Sequence, residues 1–270
     1  MKISCVQMAP VFASPEDNFT KAEQLFIKAA EDRPDVIVFP ELWNTGFFPK
    51  DDLAEKADAD GADVKKLFGA LARRYSINTV AGSSATLRNG KVYNTSFIFD
   101  RNGNCNGSYD KIHLFSPMRE NEYFVPGNDL CVFETDGVKC GVAICYDIRF
   151  PELTRAMSVK GIDILFLPAQ WPEKRVSQLE ILLKARAVEN QIYTVCCNAC
   201  GKSEDTVFGG SSAVTNPFGN TLIRAGNTEE IISCECDLSV LRDIRENINV
   251  FRDRRTDLYK SFFMNGGDTD

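Results

Sequence analysis

Three reactive side chains each stand at the end of a strand-like run of the sequence. Glu41 follows DVIVFP, Lys111 follows the run that ends in SYD, and Cys145 closes KCGVAIC. A cysteine thiol becomes a strong nucleophile only when a base takes its proton or a nearby cation stabilises the thiolate. A carboxylate, an ammonium group and a thiol in one pocket would therefore support nucleophilic attack on a carbonyl carbon.

Each of these residues alone also has an ordinary structural explanation. Lys111 can be read as a surface lysine and Cys145 as a core cysteine, which packs as a small hydrophobic residue. A carboxylate such as Glu41, placed after five apolar residues, is costly to bury unless it is paired. Their shared position at strand ends favours the chemical interpretation, because ligand crevices in open α/β sheets lie at the ends of strands.

Other catalytic patterns are absent from the sequence. His113 is the single histidine, so a Ser-His-Asp or Cys-His mechanism would depend on that residue, and a metal site built from several histidines is excluded. The chain contains no G-x-S-x-G, G-x-G-x-x-G or G-x-x-x-x-G-K-[ST] pattern. What remains for nucleophilic catalysis is a cysteine activated by something other than histidine, with no metal or organic cofactor required.

The ten cysteines and the net charge bear on the cellular compartment and on the class of binding partner. Most cysteines lie in apolar runs, which predicts core packing; a zinc site from Cys197, Cys200, Cys234 and Cys236 is the less favoured alternative. A net charge of −7 and a pI of about 5.0 argue against nucleic acid as a partner. No apolar run reaches the roughly 20 residues of a membrane span, and the N-terminus lacks a signal-peptide pattern. We therefore expect a cytoplasmic protein with reduced cysteines.

Strand and helix patterns alternate along the whole chain. Helical spacing is clear in PEDNFTKAEQLFIKAAED, PELTRAMSVKG and RVSQLEILLKARAVENQ, and strands are predicted for ISCVQMAP, DVIVF, VKCGVAIC and IYTVCCNA. The segments PDVIVFPEL and GIDILFLPAQ share one pattern, which indicates two related strand–helix halves. This alternation predicts a layered α/β fold.

Three motifs resemble those of one enzyme superfamily. FPELWNTGF, YDKIHLF and CGVAICYDIRFPEL, in this order, are similar to the catalytic motifs of the nitrilase superfamily of carbon–nitrogen hydrolases. The resemblance covers nearly the whole chain, from MKISCVQMAP through ARAVENQIYTV to NPFGN. It implies a four-layer α-β-β-α sandwich formed by residues 1–270 as a single domain.

The resemblance also implies roles for particular residues. It assigns a catalytic triad to Glu41 as general base and acid, Lys111 as oxyanion donor and Cys145 as nucleophile, with the backbone N–H of Tyr146 as the second oxyanion donor. MRENEYFVPG offers Glu120 and Glu122 for a second glutamate, and the spacing to Pro126 favours Glu120. This residue would hold Lys111 and the substrate in place.

Further residues are expected around the pocket or behind it. Gln170, Trp171 and Phe47 are candidate substrate-pocket residues, although Trp171 could instead pack on the next helix. Asp147 and Arg149 are expected to form an ion pair that supports the turn behind the nucleophile. His113 is expected to have a structural role near the lysine.

The substrate class rests on the same resemblance. REN-E-Y, LPAQWP and ARAVENQ are most similar to the bacterial branch of ω-amidase-like proteins, which implies release of ammonia from short 2-oxo acid ω-amides such as 2-oxoglutaramate. An N-carbamoyl amide hydrolase, a nitrilase and a catalytically silent binding protein of the same fold remain alternatives. A homodimer is also implied, with PELTRAMSVKG, RVSQLEILLKARAVENQ and the C-terminal segment from about residue 238 at its interface.

Overall fold

Strands and helices alternate in the computed structural model, which describes residues 1–264. The α-helices are α1 (Pro15–Ala30), α2 (Leu53–Lys56), α3 (Ala62–Tyr75), α4 (Pro151–Val159), α5 (Val176–Asn190), α6 (Ser239–Asn247) and α7 (Thr256–Met264). The first eight strands are β1 (Lys2–Gln7), β2 (Val36–Val38), β3 (Asp58–Ala59), β4 (Asn78–Val80), β5 (Ser84–Arg88), β6 (Lys91–Phe99), β7 (Cys105–Asp110) and β8 (Cys131–Thr135). The others are β9 (Val138–Val142), β10 (Ile164–Ala169), β11 (Tyr193–Asn198), β12 (Cys200–Ser203), β13 (Thr206–Gly209), β14 (Ala213–Thr215), β15 (Thr221–Arg224) and β16 (Glu230–Glu235).

Two large sheets carry the fold. In the eight-stranded sheet, β2 lies between β1 and β4 and is parallel to both. In the six-stranded sheet, β10 lies in the same way between β9 and β11. The helices α1 and α3 connect the first set of parallel strands, and α4 and α5 connect the second set. The two similar segments of the sequence therefore occupy matching central positions.

Alternating side chains pack the eight-stranded sheet on both faces. Val36 and Val38 of β2 belong to the large cluster that also contains β9, β10 and β11. Ile37, between them, belongs to the cluster that contains Phe26 of α1 and Phe68 of α3. Because strand side chains point alternately to opposite faces, β2 is buried between a second sheet and a helical layer.

The six-stranded sheet is covered in the same manner. Leu153 and Met157 of α4, and Leu179 and Leu183 of α5, pack into the cluster formed by that sheet. The layers are thus helices, sheet, sheet and helices. The α-β-β-α sandwich predicted from the sequence is confirmed.

Some local features differ from the expectation. The strand predicted up to Cys145 ends at Val142, and Cys145–Arg149 forms a short 3₁₀ turn. Between Cys197 and Cys200 the chain leaves β11 and enters the β12–β13 hairpin, which the sequence patterns did not indicate.

Among residues 1–264, no group of three or more His, Cys, Asp or Glu side chains has the geometry of a metal site. None of the described helices is long and apolar enough to cross a membrane.

Candidate active site

Glu41 lies where the ends of the two central strands meet. It follows β2 and Pro40, and its backbone N–H donates to Ala169 O, at the end of β10, over 3.4 Å. Its carboxylate oxygen Oε2 accepts a hydrogen bond of 2.9 Å from the backbone N–H of Gln170. The side chain is buried, with 2% of the residue exposed. The predicted carboxylate at a strand end is therefore held between the two sheets.

Lys111 forms ion pairs with two buried carboxylates. It directly follows β7, and its Nζ lies 2.8 Å from Glu41 Oε1 and 2.9 Å from Glu120 Oε2. Glu120 begins a short 3₁₀ turn and accepts a further hydrogen bond from Phe115 N–H at 2.6 Å. Glu122, the alternative considered from the sequence, is exposed and pairs with Arg119 at 2.6 Å. The structure thus brings Glu120, and not Glu122, to the lysine.

Asn94 connects the two glutamates and was missed in the sequence. Its Nδ2 donates to Glu41 Oε1 at 2.9 Å and to Glu120 Oε1 at 3.4 Å. Its backbone carbonyl accepts from Lys111 N–H at 2.9 Å. The available signal was a buried-strand pattern, KVYNTSFIF, interrupted by an asparagine. A polar residue inside such a run needs a partner, which here is the pair of carboxylates.

Cys145 occupies a strained position at the start of its 3₁₀ turn. Its φ is +46°, in the left-handed region that residues other than glycine rarely adopt. Such outliers persist only where surrounding contacts hold them, and they concentrate at functional sites. Tyr146 follows in the first turn, where backbone N–H groups have no partner within the helix.

The protonation states follow from burial and charge. Burial alone would lower the pKa of Lys111, but the carboxylates of Glu120 and Glu41 outweigh it and raise the pKa well above its ordinary value. Burial, and then the Glu41 carboxylate, raise the pKa of the Cys145 thiol well above its ordinary value, with Lys111 opposing them. At neutral pH the site therefore contains an ammonium group and a neutral thiol.

The pocket is lined by charged, polar and aromatic side chains. All four site residues above, Glu41, Lys111, Glu120 and Cys145, line one pocket, and so do the predicted pocket residues Phe47, Tyr146, Gln170 and Trp171. The remaining lining residues include two cations, Arg149 and Arg175, that the sequence analysis did not place in the pocket.

Gln170 has an unusual environment within this lining. The residue is 3% exposed, and neither Oε1 nor Nε2 of its side chain has a hydrogen-bond partner among the described residues. Buried amide groups are almost always hydrogen-bonded. The side chain therefore has both a donor and an acceptor available for a bound molecule.

Asp147 and Arg149 contact other residues instead of forming the expected ion pair. Asp147 Oδ1 lies 2.8 Å from His113 Nδ1, and Asp147 Oδ2 accepts from Ile144 N–H at 2.9 Å. Arg149 Nη2 donates to Gln178 Oε1 at 2.6 Å. The expectation failed because Asp147 points back beneath the Cys145 turn, whereas Arg149 points into the pocket.

The arrangement is suited to acyl transfer. A thiol beside a carboxylate provides a nucleophile and its base, and a fixed ammonium group can stabilise negative charge on a carbonyl oxygen.

Comparison with known proteins identifies the family. The model for the carbon–nitrogen hydrolase family matches residues 2–246. The chain belongs to the carbon–nitrogen hydrolase family. This confirms the relationship inferred from the three motifs.

Relatives in this family span almost the whole chain. The 2-oxoglutaramate amidase of Bacillus subtilis (strain 168) is 42% identical over 260 residues, which cover 95% of this chain and 98% of that protein. The omega-amidase NIT2 of Danio rerio is 35% identical, covering 90% of this chain and 91% of that protein. Among solved structures, Nit3 of Saccharomyces cerevisiae, a member of branch 10 of the nitrilase superfamily, superposes with a TM-score of 0.87 at 27% identity, covering 94% of this chain and 96% of that chain. This carbon–nitrogen hydrolase is thus similar to amidases along nearly its full length.

Proposed function

We propose that this carbon–nitrogen hydrolase is an ω-amidase that releases ammonia from the terminal amide of short 2-oxo acids such as 2-oxoglutaramate. The observation that carries the proposal is the contact of Lys111 Nζ with both Glu41 and Glu120, 2.8 and 2.9 Å away, in the pocket that contains Cys145. The 42% identity to a 2-oxoglutaramate amidase supports the substrate class.

The first half of the reaction forms a thioester. Glu41 takes the proton of the Cys145 thiol as the sulfur attacks the amide carbon, so that no free thiolate has to accumulate in the buried pocket. The oxyanion is stabilised by the Lys111 ammonium group and the Tyr146 backbone N–H. Glu41 then gives the proton to the leaving nitrogen, the C–N bond breaks, and ammonia departs.

The second half regenerates the enzyme. Glu41 removes a proton from water, and the resulting hydroxide attacks the thioester carbon. The C–S bond breaks, the sulfur regains its proton from Glu41, and the carboxylic acid product leaves. Glu120 maintains the position and the charge of Lys111 throughout, because the pKa of that ammonium group is raised first by Glu120 and then by Glu41.

The test is ammonia release from a panel of substrates by the purified protein. The panel contains 2-oxoglutaramate, 2-oxosuccinamate, glutamine, asparagine, a simple nitrile and an N-carbamoyl amino acid, with Cys145→Ala as the inactive control. We expect turnover of the 2-oxo amides and none by the variant. Release of carbon dioxide together with ammonia from the N-carbamoyl compound alone would instead identify an N-carbamoyl hydrolase. Turnover of none, with a Cys145 inert to alkylation, would indicate a binding protein.

The setting and the assembly are part of the same proposal. All ten cysteines are unpaired, which is in keeping with a reducing cytoplasm.

We further propose that the single domain forms a homodimer through α4, α5 and the C-terminal segment. Val159 on α4, and Ile181 and Val188 on α5, are large apolar residues with between 48% and 67% of their surface exposed. An apolar face of this kind is typical of a protein interface.

A further inference from the structure

Hydrogen bonds to the Glu41 carboxylate treat its two oxygens differently. Oε1 accepts from Lys111 Nζ at 2.8 Å and from Asn94 Nδ2 at 2.9 Å. Oε2 accepts a single hydrogen bond from the described residues, from the backbone N–H of Gln170 at 2.9 Å. A carboxylate oxygen offers about two acceptor positions. Oε1 is therefore fully occupied, whereas Oε2 keeps one position at which it can take up a proton.

The Glu120 carboxylate has no such position. Its Oε1 accepts from Lys111 Nζ at 3.0 Å and from Asn94 Nδ2 at 3.4 Å. Its Oε2 accepts from Lys111 Nζ at 2.9 Å and from the backbone N–H of Phe115 at 2.6 Å. Two buried carboxylates thus lie beside one lysine, and of their four oxygens Glu41 Oε2 is the one left able to act as a base.

Asn94 determines much of this difference. The residue lies on β6, between β5 and β7, and is 1% exposed. Its backbone carbonyl also accepts from Lys111 N–H at 2.9 Å. If the amide group were rotated by half a turn, its oxygen would face the Glu41 and Glu120 carboxylates and repel both, so the Nδ2 donor is fixed toward them. One asparagine therefore positions the backbone of the lysine and the side chains of both glutamates.

The other atom of this amide group indicates why an asparagine is present. Asn94 Oδ1 is buried and has no hydrogen-bond partner within the part of the chain that the structure describes. A buried polar atom without a partner lowers stability. Asn94 does not line the candidate pocket, so Oδ1 has no access to a bound substrate there. A cost of this kind is typical of a group that is needed for function.

We propose that Asn94 is a positioning residue that makes Glu41 Oε2 the catalytic base, by occupying Oε1 of both glutamates. The inference rests on the proposed function, in which Glu41 takes the proton of the Cys145 thiol, and adds which oxygen takes it and what selects that oxygen. Without the amide donor, the Glu41 carboxylate is free to turn about its terminal C–C bond. It also takes up a proton more readily, because a hydrogen bond from an N–H group favours the charged form of a carboxylate.

The experiment measures the pH dependence of kcat/KM in Asn94→Leu, because leucine has a similar shape and no donor. We expect kcat/KM at neutral pH to fall about 10- to 100-fold, as for the loss of a hydrogen bond to a charged group. The acidic limb of the profile should move up by about one pH unit, since the base is protonated at a higher pH once the donor is lost. Asn94→Ala, which cannot clash with its neighbours, provides the same measurement if Asn94→Leu does not fold.

Asn78→Leu is the matched control. Asn78 is 4% exposed, and its Nδ2 donates to Asp136 Oδ2 at 2.8 Å. It pairs with Val36 at the start of β2, whereas Glu41 follows the end of that strand. This variant also removes a buried amide donor from a carboxylate, so it should lower the free energy of unfolding. It should leave the acidic limb at its wild-type position, which a purely structural role of Asn94 would also predict for Asn94→Leu.

A second substrate separates failure of this inference from failure of the proposed function. The profiles are measured with 2-oxoglutaramate and with 4-nitrophenyl acetate, an activated ester that acylates thiols without needing an amide pocket. A shifted limb with the ester, without hydrolysis of any 2-oxo amide, would support the inference while the proposed function fails. A wild-type limb with both substrates in both Asn94 variants would overturn the inference alone. No turnover of either substrate by the wild-type enzyme would overturn both.

Discussion

Tyr109 Oη donates a hydrogen bond of 2.7 Å to Asp147 Oδ2, which joins the strand that ends at Lys111 to the turn that begins at Cys145. Both side chains are buried, and Asp147 also accepts from the backbone N–H groups of Ile144 and His113 at 2.9 and 3.0 Å. The carboxylate is thus a common acceptor for two segments that lie far apart in the sequence. Because Asp147 binds the backbone N–H of Ile144, just before Cys145, this carboxylate helps to hold the strained backbone of Cys145 in place.

Asp147→Asn should impair both stability and turnover. The amide group of asparagine cannot accept at every position where the carboxylate accepts, so at least one buried donor loses its partner at a cost of about 1–3 kcal/mol. We expect a lower free energy of unfolding and a lower kcat, measured by urea denaturation and ammonia release. Tyr109→Phe, which removes only one of these bonds, is the matched variant and should have a smaller effect on both. Equal stability of Asp147→Asn and the wild-type enzyme would contradict this role.

The positions of the reactive residues could be read from the sequence because of a local signal. Glu41 and Cys145 stand at the ends of apolar runs, and Lys111 follows the more polar strand β7, which is antiparallel to β6. All three stand at strand ends, which is where ligand crevices lie in α/β sheets. The layered fold could be predicted on similar grounds. A run such as DVIVF is apolar on both faces of its strand, so the sheet that contains it must be covered on both sides.

The hydrogen-bond partners could not be read in the same way. Asn94 reaches Glu41 across 53 residues of sequence, and Asp147 reaches His113 across 34. These pairs depend on how separate loops are placed against each other, which no periodic pattern encodes. The predicted Asp147–Arg149 ion pair was wrong because nearness in sequence does not determine the direction of either side chain. Arg175 likewise stands in a polar segment, PEKR, and only the fold brings it to the pocket.

Glu41→Gln should lower the pH at which Cys145 becomes reactive toward iodoacetamide. The Glu41 carboxylate is, after burial, the main group that raises the pKa of this thiol, so its neutralisation lowers the pKa while burial still holds it above the ordinary value. Turnover should nevertheless fall by about 10²–10⁴, since the general base is lost. The pH dependence of alkylation is followed by mass spectrometry of the Cys145 peptide. An identical midpoint in Glu41→Gln and the wild-type enzyme would show that Glu41 does not act on the thiol.

Glu120→Gln and Glu122→Gln form a matched pair of variants. Glu120 is buried against Lys111, whereas Glu122 has 41% of its side chain exposed. We expect Glu120→Gln to lower kcat by about 10- to 100-fold, because one charge-assisted hydrogen bond to the lysine is weakened. Glu122→Gln should change kcat less than about twofold, as is usual for surface charges. Similar losses in both variants would point to a general effect of the loop.

The buried cysteines should make the protein less stable in alkaline solution. Burial raises the pKa of Cys131 and of Cys236 to about 12, and that of Cys196 well above its ordinary value. A thiol whose pKa is raised by folding contributes its full stabilisation below the unfolded value of about 8.5, and this contribution is lost as the pH rises toward the folded value. The free energy of unfolding should therefore fall steadily above about pH 8.5.

Cys196→Ala tests this linkage. The variant should reduce the slope of unfolding free energy against pH by up to about 1.4 kcal/mol per pH unit between pH 9 and 10.5. Val195→Ala, a neighbouring core truncation without a thiol, is the control: it should lower stability at every pH and leave the slope unchanged. Urea denaturation at several pH values provides both numbers. An unchanged slope in Cys196→Ala would mean that this thiol ionises equally well in the folded protein.

Ile181→Asp should convert the proposed dimer into a monomer. Ile181 and Val188 lie seven residues apart on α5, hence on one face of the helix, and 67% and 48% of their surfaces are exposed. A charge placed within an apolar contact has to be desolvated on association, which disfavours the dimer strongly. Light scattering after gel filtration should give twice the 30.1 kDa chain mass for the wild-type enzyme and the single chain mass for the variant. Val11→Asp, on an exposed residue between β1 and α1, should remain dimeric. A wild-type enzyme that is monomeric at micromolar concentration would refute the proposed interface, because Ile181 and Val188 would then face solvent and not a second subunit.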